Sequence, residues 1–221
     1  MFHARFISGK KFEHPVTKVV CVGRNYAEHA RELNNPVPEI PILFIKPESS
    51  VVSLEDSFTI PETDCHYEAE VAILIGKELS NVNEKEAESG IAGIGLALDL
   101  TRRALQSELK KNSHPWEVAK SFDGACPLSQ FIPYSDIDSL KGLHFSLAIN
   151  GEMRQQGLSS DMITPVIALI VYISKHFTLR TGDVVLTGTP KGVGSLAIND
   201  KLELNLLNTL FVRTEAVSCE S

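Results

Sequence analysis

Glu68 and Glu70 stand two residues apart at the head of the run EAEVAILI (68–75), whose other members are all apolar. If that run is a strand, both carboxylates point to one face. Like charges side by side on a buried strand repel each other, and a divalent cation is the usual way to hold them together. Asp99 is a third acid, set in the otherwise apolar run 94–100. Three carboxylates completed by water suit Mg²⁺, Mn²⁺ or Ca²⁺ and not Zn²⁺. The competing reading has Glu68 opening an edge strand, Glu70 facing solvent and Asp99 capping a helix, and the pattern alone does not choose. Cys65 and His66 lie beside the pair, but a Cys/His/Glu zinc site is the weaker reading.

Other residues could serve such a centre. His29 and Glu32 are three apart on a short predicted helix, so they share a face. A carboxylate beside an imidazole orients it as a general base, although surface His/Glu pairs at this spacing are common. Lys120, in WEVAKSFD (116–123), is a candidate substrate-binding cation. Arg24 follows Gly23 directly after the first predicted strand. The loop GTPKGVG (188–194) carries Thr189 and a series of backbone N–H groups that can bind an anion, or it is a plain turn. It is not a phosphate-binding loop of the Gly-Lys-Ser/Thr type, and no Gly-x-Gly-x-x-Gly follows an early strand. Arg102, Arg103, Lys110 and Lys111 read as the solvated face of a helix.

These residues must be placed by the elements around them. The pattern predicts strands over 18–22, 42–46, 68–75 and 95–100, then 143–149, 152–156, 184–187 and 201–206. Asn150-Gly151 is a strong hairpin signal between two of them. Helices are predicted over 26–33, 101–111 and 163–176, the last capped from Ser159, Ser160 or Asp161. Residues 59–64 read as a turn, and 83–92 as a polar helix start or loop. No regular strand–helix repeat appears, so the class is α+β with much antiparallel sheet. A short N-terminal segment (1–15) and one catalytic domain (16–221) are expected. The 26–33 helix lies between a glycine and a proline-rich stretch, a placement that suits a lid.

Composition narrows the function classes. The 221 residues are 43% hydrophobic and 22% charged, with 21 Lys and Arg against 28 Asp and Glu. A net charge of -7 argues against a nucleic-acid partner. The longest apolar run, 162–173, is a dozen residues where a membrane span needs roughly 20, so no membrane association is expected. Cys21, Cys65, Cys126 and Cys219 show no paired spacing and read as reduced thiols, consistent with a cytoplasmic protein.

Taken together, several separated stretches resemble the fumarylacetoacetate hydrolase family, in particular its short stand-alone members that act as acylpyruvate hydrolases or on oxaloacetate. They are VGRNY (22–26) with His29, FIKP (44–47), HYEAE (66–70), LDLT (98–101), AKSFD (119–123), INGE (149–152) and LTGTPKGVG (186–194). The resemblance runs from about residue 19 to 206. It implies metal ligands at Glu68, Glu70 and Asp99, a catalytic pair at His29 and Glu32, and an active-site lysine at Lys120. It also implies substrate contacts from Gln106, Thr189 and Arg24. The implied fold is a mixed, largely antiparallel β roll, barrel-like, with peripheral helices. Mg²⁺ is the implied cofactor, with Mn²⁺ or Ca²⁺ as substitutes, and a homodimer the implied assembly.

The expected reaction is metal-dependent hydrolysis of a carbon–carbon bond in a small 3-acylpyruvate, a 2-oxo acid, giving pyruvate and a carboxylic acid. The alternative is decarboxylation or keto–enol tautomerisation of oxaloacetate on the same residues. Two departures matter. Many relatives carry two histidines before the first glutamate, whereas the second position here is Tyr67, expected to point away from Glu68. The long eukaryotic-type enzyme has an extra N-terminal domain, so fumarylacetoacetate itself is not the expected substrate.

Overall fold

Two strands of the chain are apolar on both faces. The computed structural model, which describes residues 1–32, 36–61 and 64–218, buries every residue of one and nearly every residue of the other. In chain order the elements begin β1 (Lys18–Gly23), α1 (Ala27–Glu32), β2 (Ile42–Pro47), β3 (Val51–Ser53), β4 (Phe58–Ile60), β5 (Cys65–Tyr67) and β6 (Ala69–Ile75). Next come α2 (Glu84–Glu88), β7 (Ile91–Leu98), β8 (Thr101–Arg102), α3 (Arg103–Lys111), α4 (Glu117–Lys120) and β9 (Cys126–Pro133). The chain ends with β10 (His144–Ile149), β11 (Glu152–Leu158), α5 (Val166–Ser174), β12 (Val184–Leu186), β13 (Gly194–Ser195), β14 (Lys201–Leu206) and β15 (Leu210–Ser218).

A seven-stranded sheet runs β2-β1-β12-β6-β7-β9-β3, with the fully buried β6 and the almost fully buried β7 inside it. Burial on both faces accounts for their continuous apolar runs. Alternate residues of β6 serve different cores. Val71, Ile73 and Ile75 pack toward the second, five-stranded sheet (β11-β10-β14-β15-β4), while Ala72 and Leu74 share a core with Ala4 and with Val16, just before β1. β14 has one buried face only, so Leu202, Leu204 and Leu206 alternate with polar residues. A third sheet, β13-β5-β8, is small and stands at the site. Pairing is mostly antiparallel, with parallel pairs β1·β12, β3·β9 and β4·β15. This is the α+β curled roll with peripheral helices that the resemblance implied.

Asn150 and Gly151 both have positive φ, 52° and 80°, as a two-residue hairpin turn between β10 and β11 requires. Four local expectations change. Residues 58–60 are a strand, not a turn, because they pair with residues 216–218, more than 150 positions away. The last predicted helix starts at Val166 behind Pro165. Ser159 does not cap it, and its hydroxyl instead donates to the Leu140 carbonyl. β9 and β15 were not foreseen. The predicted end of the first helix, with Leu33, Asn34 and Asn35, lies outside the described residues, as does Cys219.

Asp183 ties the N-terminal strand to the turn before β12. It is fully buried; Oδ1 accepts from Thr17 Oγ1 (2.6 Å) and Lys18 N (3.2 Å), and Oδ2 accepts from Arg180 N (2.7 Å) and pairs with Lys18 Nζ. Asp183→Ala leaves those donors without an acceptor. It is expected to cost about 3–5 kcal/mol, seen as a lower urea midpoint at unchanged slope.

Candidate metal centre and substrate pocket

The site lies where β6, β7 and the small sheet meet. Glu68 is not inside a strand. It falls between β5 and β6, where the chain passes from one sheet to the other, so simple strand alternation does not explain its direction. Its carboxylate nevertheless converges with those of Glu70 and Asp99. One oxygen from each lies within 4.8 Å of the others, and all three residues are buried. Asp99 follows the end of β7, held by its N–H donating to the Glu68 carbonyl (2.8 Å). Of the two readings of the acids, the solvent-facing one is excluded.

Three cations balance the acids. Lys120 Nζ donates to Glu68 Oε2 (2.9 Å) and Asp99 Oδ2 (2.6 Å). Arg103 pairs with the other Glu68 oxygen. Lys46, fully buried on β2, stands 2.8 Å from Asp99 Oδ1 and bonds the carbonyl of Lys120. Burial raises the Glu68 pKa, but Lys120 and Arg103 outweigh it and hold the carboxyl well below the usual range. Lys120 is held above its ordinary value, Asp99 and Glu68 overcoming its burial.

Glu70 differs from both. Among the described residues its only hydrogen-bond donor is Gly188 N–H (2.6 Å). Burial first, then Asp99 and Glu68, push its carboxyl well above the usual range. A buried acid so placed needs a proton or another cation. An all-oxygen donor set of three buried carboxylates fits a hard divalent ion such as Mg²⁺ or Mn²⁺. Gly188 is suited to its position because φ is +93° and a Cβ would sit 2.7 Å from Asn25 Cβ.

The pocket above this cluster is lined by His29, Gln106, Thr189 and Arg24, with Phe44 and Trp116 as its apolar wall. Thr189 Oγ1 donates to the Ala69 carbonyl (2.9 Å) and accepts from Gln155 Nε2 (2.8 Å). Its hydroxyl therefore fixes the loop to β6. Gln155, nearly fully buried, also accepts from Ala69 N–H (2.9 Å).

His29 is buried on α1, with Nδ1 3.5 Å from Glu32 Oε2. This is ion-pair distance without hydrogen-bond alignment, and Nδ1 has no hydrogen-bond partner. Such contacts in a ligand-free site tighten when substrate is bound. Glu32 is itself aimed by Gly192 N–H, 3.1 and 3.2 Å from its two oxygens. Burial lowers the His29 pKa, against the opposing pull of Glu68. A six-residue helix is too short to hold itself. Docking holds it, through the Glu32–Gly192 contact and a Glu28–Lys191 ion pair of 2.9 Å. Asn25 anchors its base, bonding Thr164 N (2.8 Å), Thr164 O (3.0 Å) and Thr187 O (2.8 Å).

The sequence profile described as the C-terminal domain of fumarylacetoacetate hydrolase matches residues 18–217. The chain belongs to the fumarylacetoacetate hydrolase family. Oxaloacetate tautomerase YcgM of Escherichia coli is 50% identical over 197 residues, 88% of this chain and 90% of that protein. The human mitochondrial oxaloacetate tautomerase FAHD1 is 42% identical over 190 residues, 85% of this chain and 86% of its own. A Yersinia pestis crystal structure assigned to the family superposes with a TM-score of 0.95 at 47% identity, covering 98% of this chain and all of that one. Fumarylpyruvate hydrolase from Pseudomonas aeruginosa, crystallised with Mn²⁺ and pyruvate, gives a TM-score of 0.89 at 34% identity, over 97% and 94% of the two chains.

Within the family pattern, several residues here escaped the sequence reading. Arg103 and Lys110, which the sequence pattern places on a solvated helix face, both line the pocket. Lys46, Asn25 and Gln155 were given no role. A lysine inside the apolar strand ILFIKP was a signal for the first of these. Tyr67 is absent from the pocket lining and packs its hydroxyl against Gly194, away from the acids as expected. The described cysteines are free and buried, Cys65 and Cys126 being pushed up to about 12 by burial. No helix among the described residues is long and apolar enough to cross a membrane.

Proposed function

We propose that this chain is a metal-dependent oxaloacetate keto–enol tautomerase. Belonging to the family supports a metal-associated enzyme that cleaves or isomerises small 2-oxo acids. The 50% identity to the E. coli tautomerase, along nine-tenths of both chains, carries the finer reading. Tautomerisation therefore replaces acylpyruvate hydrolysis as the preferred activity. The fumarylpyruvate hydrolase relative keeps hydrolysis as the second reading.

Glu68, Glu70 and Asp99 would hold the ion, Mg²⁺ or Mn²⁺ by donor type. When bound, it supplies Lewis-acid polarisation of the 2-oxo group. The protein's own groups do the rest. Arg24 and Gln106 bind the acid, with the backbone at Thr189. His29, neutral because burial lowers its pKa, takes a proton from C3 of the keto form as the C2–C3 double bond forms and gives it to the 2-oxygen, yielding the enol; the reverse reaction retraces both transfers. Glu32 orients the imidazole. Lys120 places an ammonium beside the acids, where enolate charge develops. Decarboxylation of oxaloacetate and hydrolysis of an acylpyruvate would both use the same enolate stabilisation. The free, buried cysteines suit a reducing compartment such as the cytoplasm, and the family resemblance suits a homodimer.

The test follows enol-oxaloacetate absorbance by stopped flow with metal-stripped protein, before and after adding Mg²⁺, with acetylpyruvate run beside it. Metal-restored tautomerisation at least about 100-fold more efficient than acetylpyruvate cleavage is expected. Acetylpyruvate cleavage exceeding oxaloacetate turnover would return the function to C–C hydrolysis.

A further inference from the structure

Helix α3 presents Arg103, Gln106 and Lys110 at spacings of three and four, one face of the helix, and all three line the pocket. They sit at graded depth. Arg103 is committed to Glu68 and, through Nη1, to Gln106 Oε1 (2.8 Å). Lys110 lies two turns on, half-buried, with Nζ 5.9 Å from the Trp116 ring. Trp116 also borders Gly23, where a Cβ would come 3.8 Å from Trp116 Cζ3, and it contacts Phe44 across 6.2 Å. The indole thus brings Lys110 and the residue after Gly23, Arg24, to the same end of the pocket. Arg24 holds a left-handed backbone, φ +60°, unfavourable for a side chain with a Cβ. Strain of this kind concentrates at binding sites. Among the described residues Arg24 makes no ion pair.

We propose that Lys110 and Arg24 form a seat for the distal carboxylate of a dicarboxylic 2-oxo acid, selecting charged over neutral acyl tails. This rests on the proposed function and deepens it, naming the residues that hold the second carboxylate of its dianionic substrate. The charge balance agrees. Four cationic side chains line the pocket against three carboxylates. A bound divalent ion raises that excess from one to three, more than a monoanion neutralises. Partial burial and the cations Arg24, Arg103 and Lys120 already lower the Lys110 pKa, with Glu68 opposing, so an anion there relieves repulsion.

The experiment measures binding, not turnover. Mn²⁺-loaded protein is titrated with oxaloacetate, its 4-methyl ester and oxalate, using water-proton relaxation of the bound ion. The wild type is expected to bind oxaloacetate at least about tenfold more tightly than the ester, the value of one charged hydrogen bond. In Lys110→Met that ratio should fall to within about twofold, with oxalate affinity unchanged, and Lys110→Arg should restore most of it. A wild-type ratio retained in Lys110→Met, or a loss of oxalate binding in that variant, would overturn the seat. Tautomerase activity without the wild-type preference also overturns it. A wild type that shows the preference yet leaves enol-oxaloacetate unconverted supports the seat and overturns the proposed function.

Discussion

Glu70→Gln is expected to remove metal binding and turnover together while leaving the metal-free fold no less stable. Among the described residues Glu70 is the acid without a cationic partner, and only Gly188 N–H donates to it. Removing even the outer partners of a metal ligand costs 10–100-fold in affinity, so loss of a direct ligand should exceed about 100-fold. Lewis-acid stabilisation is worth several kcal/mol, which corresponds to about a thousandfold or more in rate. The stability sign runs the other way. Burial, Asp99 and Glu68 raise the folded pKa of Glu70 above its unfolded value. The stability it contributes is present below the unfolded pKa and is lost as pH rises toward the folded one. Neutral glutamine escapes that loss. At pH 7 the metal-stripped variant should therefore melt at or above the metal-stripped wild type, as calorimetry will show. A variant that keeps Mn²⁺ affinity would remove Glu70 from the ligand set.

His29→Ala should lower kcat/KM for tautomerisation by about 10²–10⁴, the usual contribution of a positioned base, with Mn²⁺ affinity unchanged. The wild-type acidic limb should fall below pH 6.5, because burial lowers the His29 pKa. As pH falls through that value the imidazole gains a proton and ceases to act as base. The limb should vanish in His29→Ala. A limb at unchanged pH in the variant would assign it to another group.

The sequence made the strands with one-sided or continuous burial legible, since β6, β10 and β14 carry their periods in local composition. It concealed β4, whose pairing with β15 joins residues more than 150 positions apart, and the start of α5, set by Pro165. Glu70 and Asp99 stood out as charges within apolar runs. Arg103 and Lys110 did not, because helical spacing shows that residues share a face but not whether it meets water or a pocket. Gln155 was hidden for a related reason. It is buried on a strand whose neighbours are mostly exposed, and the loop that needs its amide comes more than thirty residues later.

The ring of Lys46, Arg103 and Lys120 around Glu68 and Asp99 has a consequence for how the protein acquires its ion. In many small metal-binding modules the ligands cannot collapse together until the metal arrives, so removing the ion unfolds the chain. Here internal ammonium and guanidinium groups already neutralise two of the acids, and Glu70 can carry a proton. Folding and ion uptake are thereby separate events. Chelators should silence the protein reversibly, occupancy should follow the free ion concentration of the compartment, and activity should return on mixing with no refolding delay.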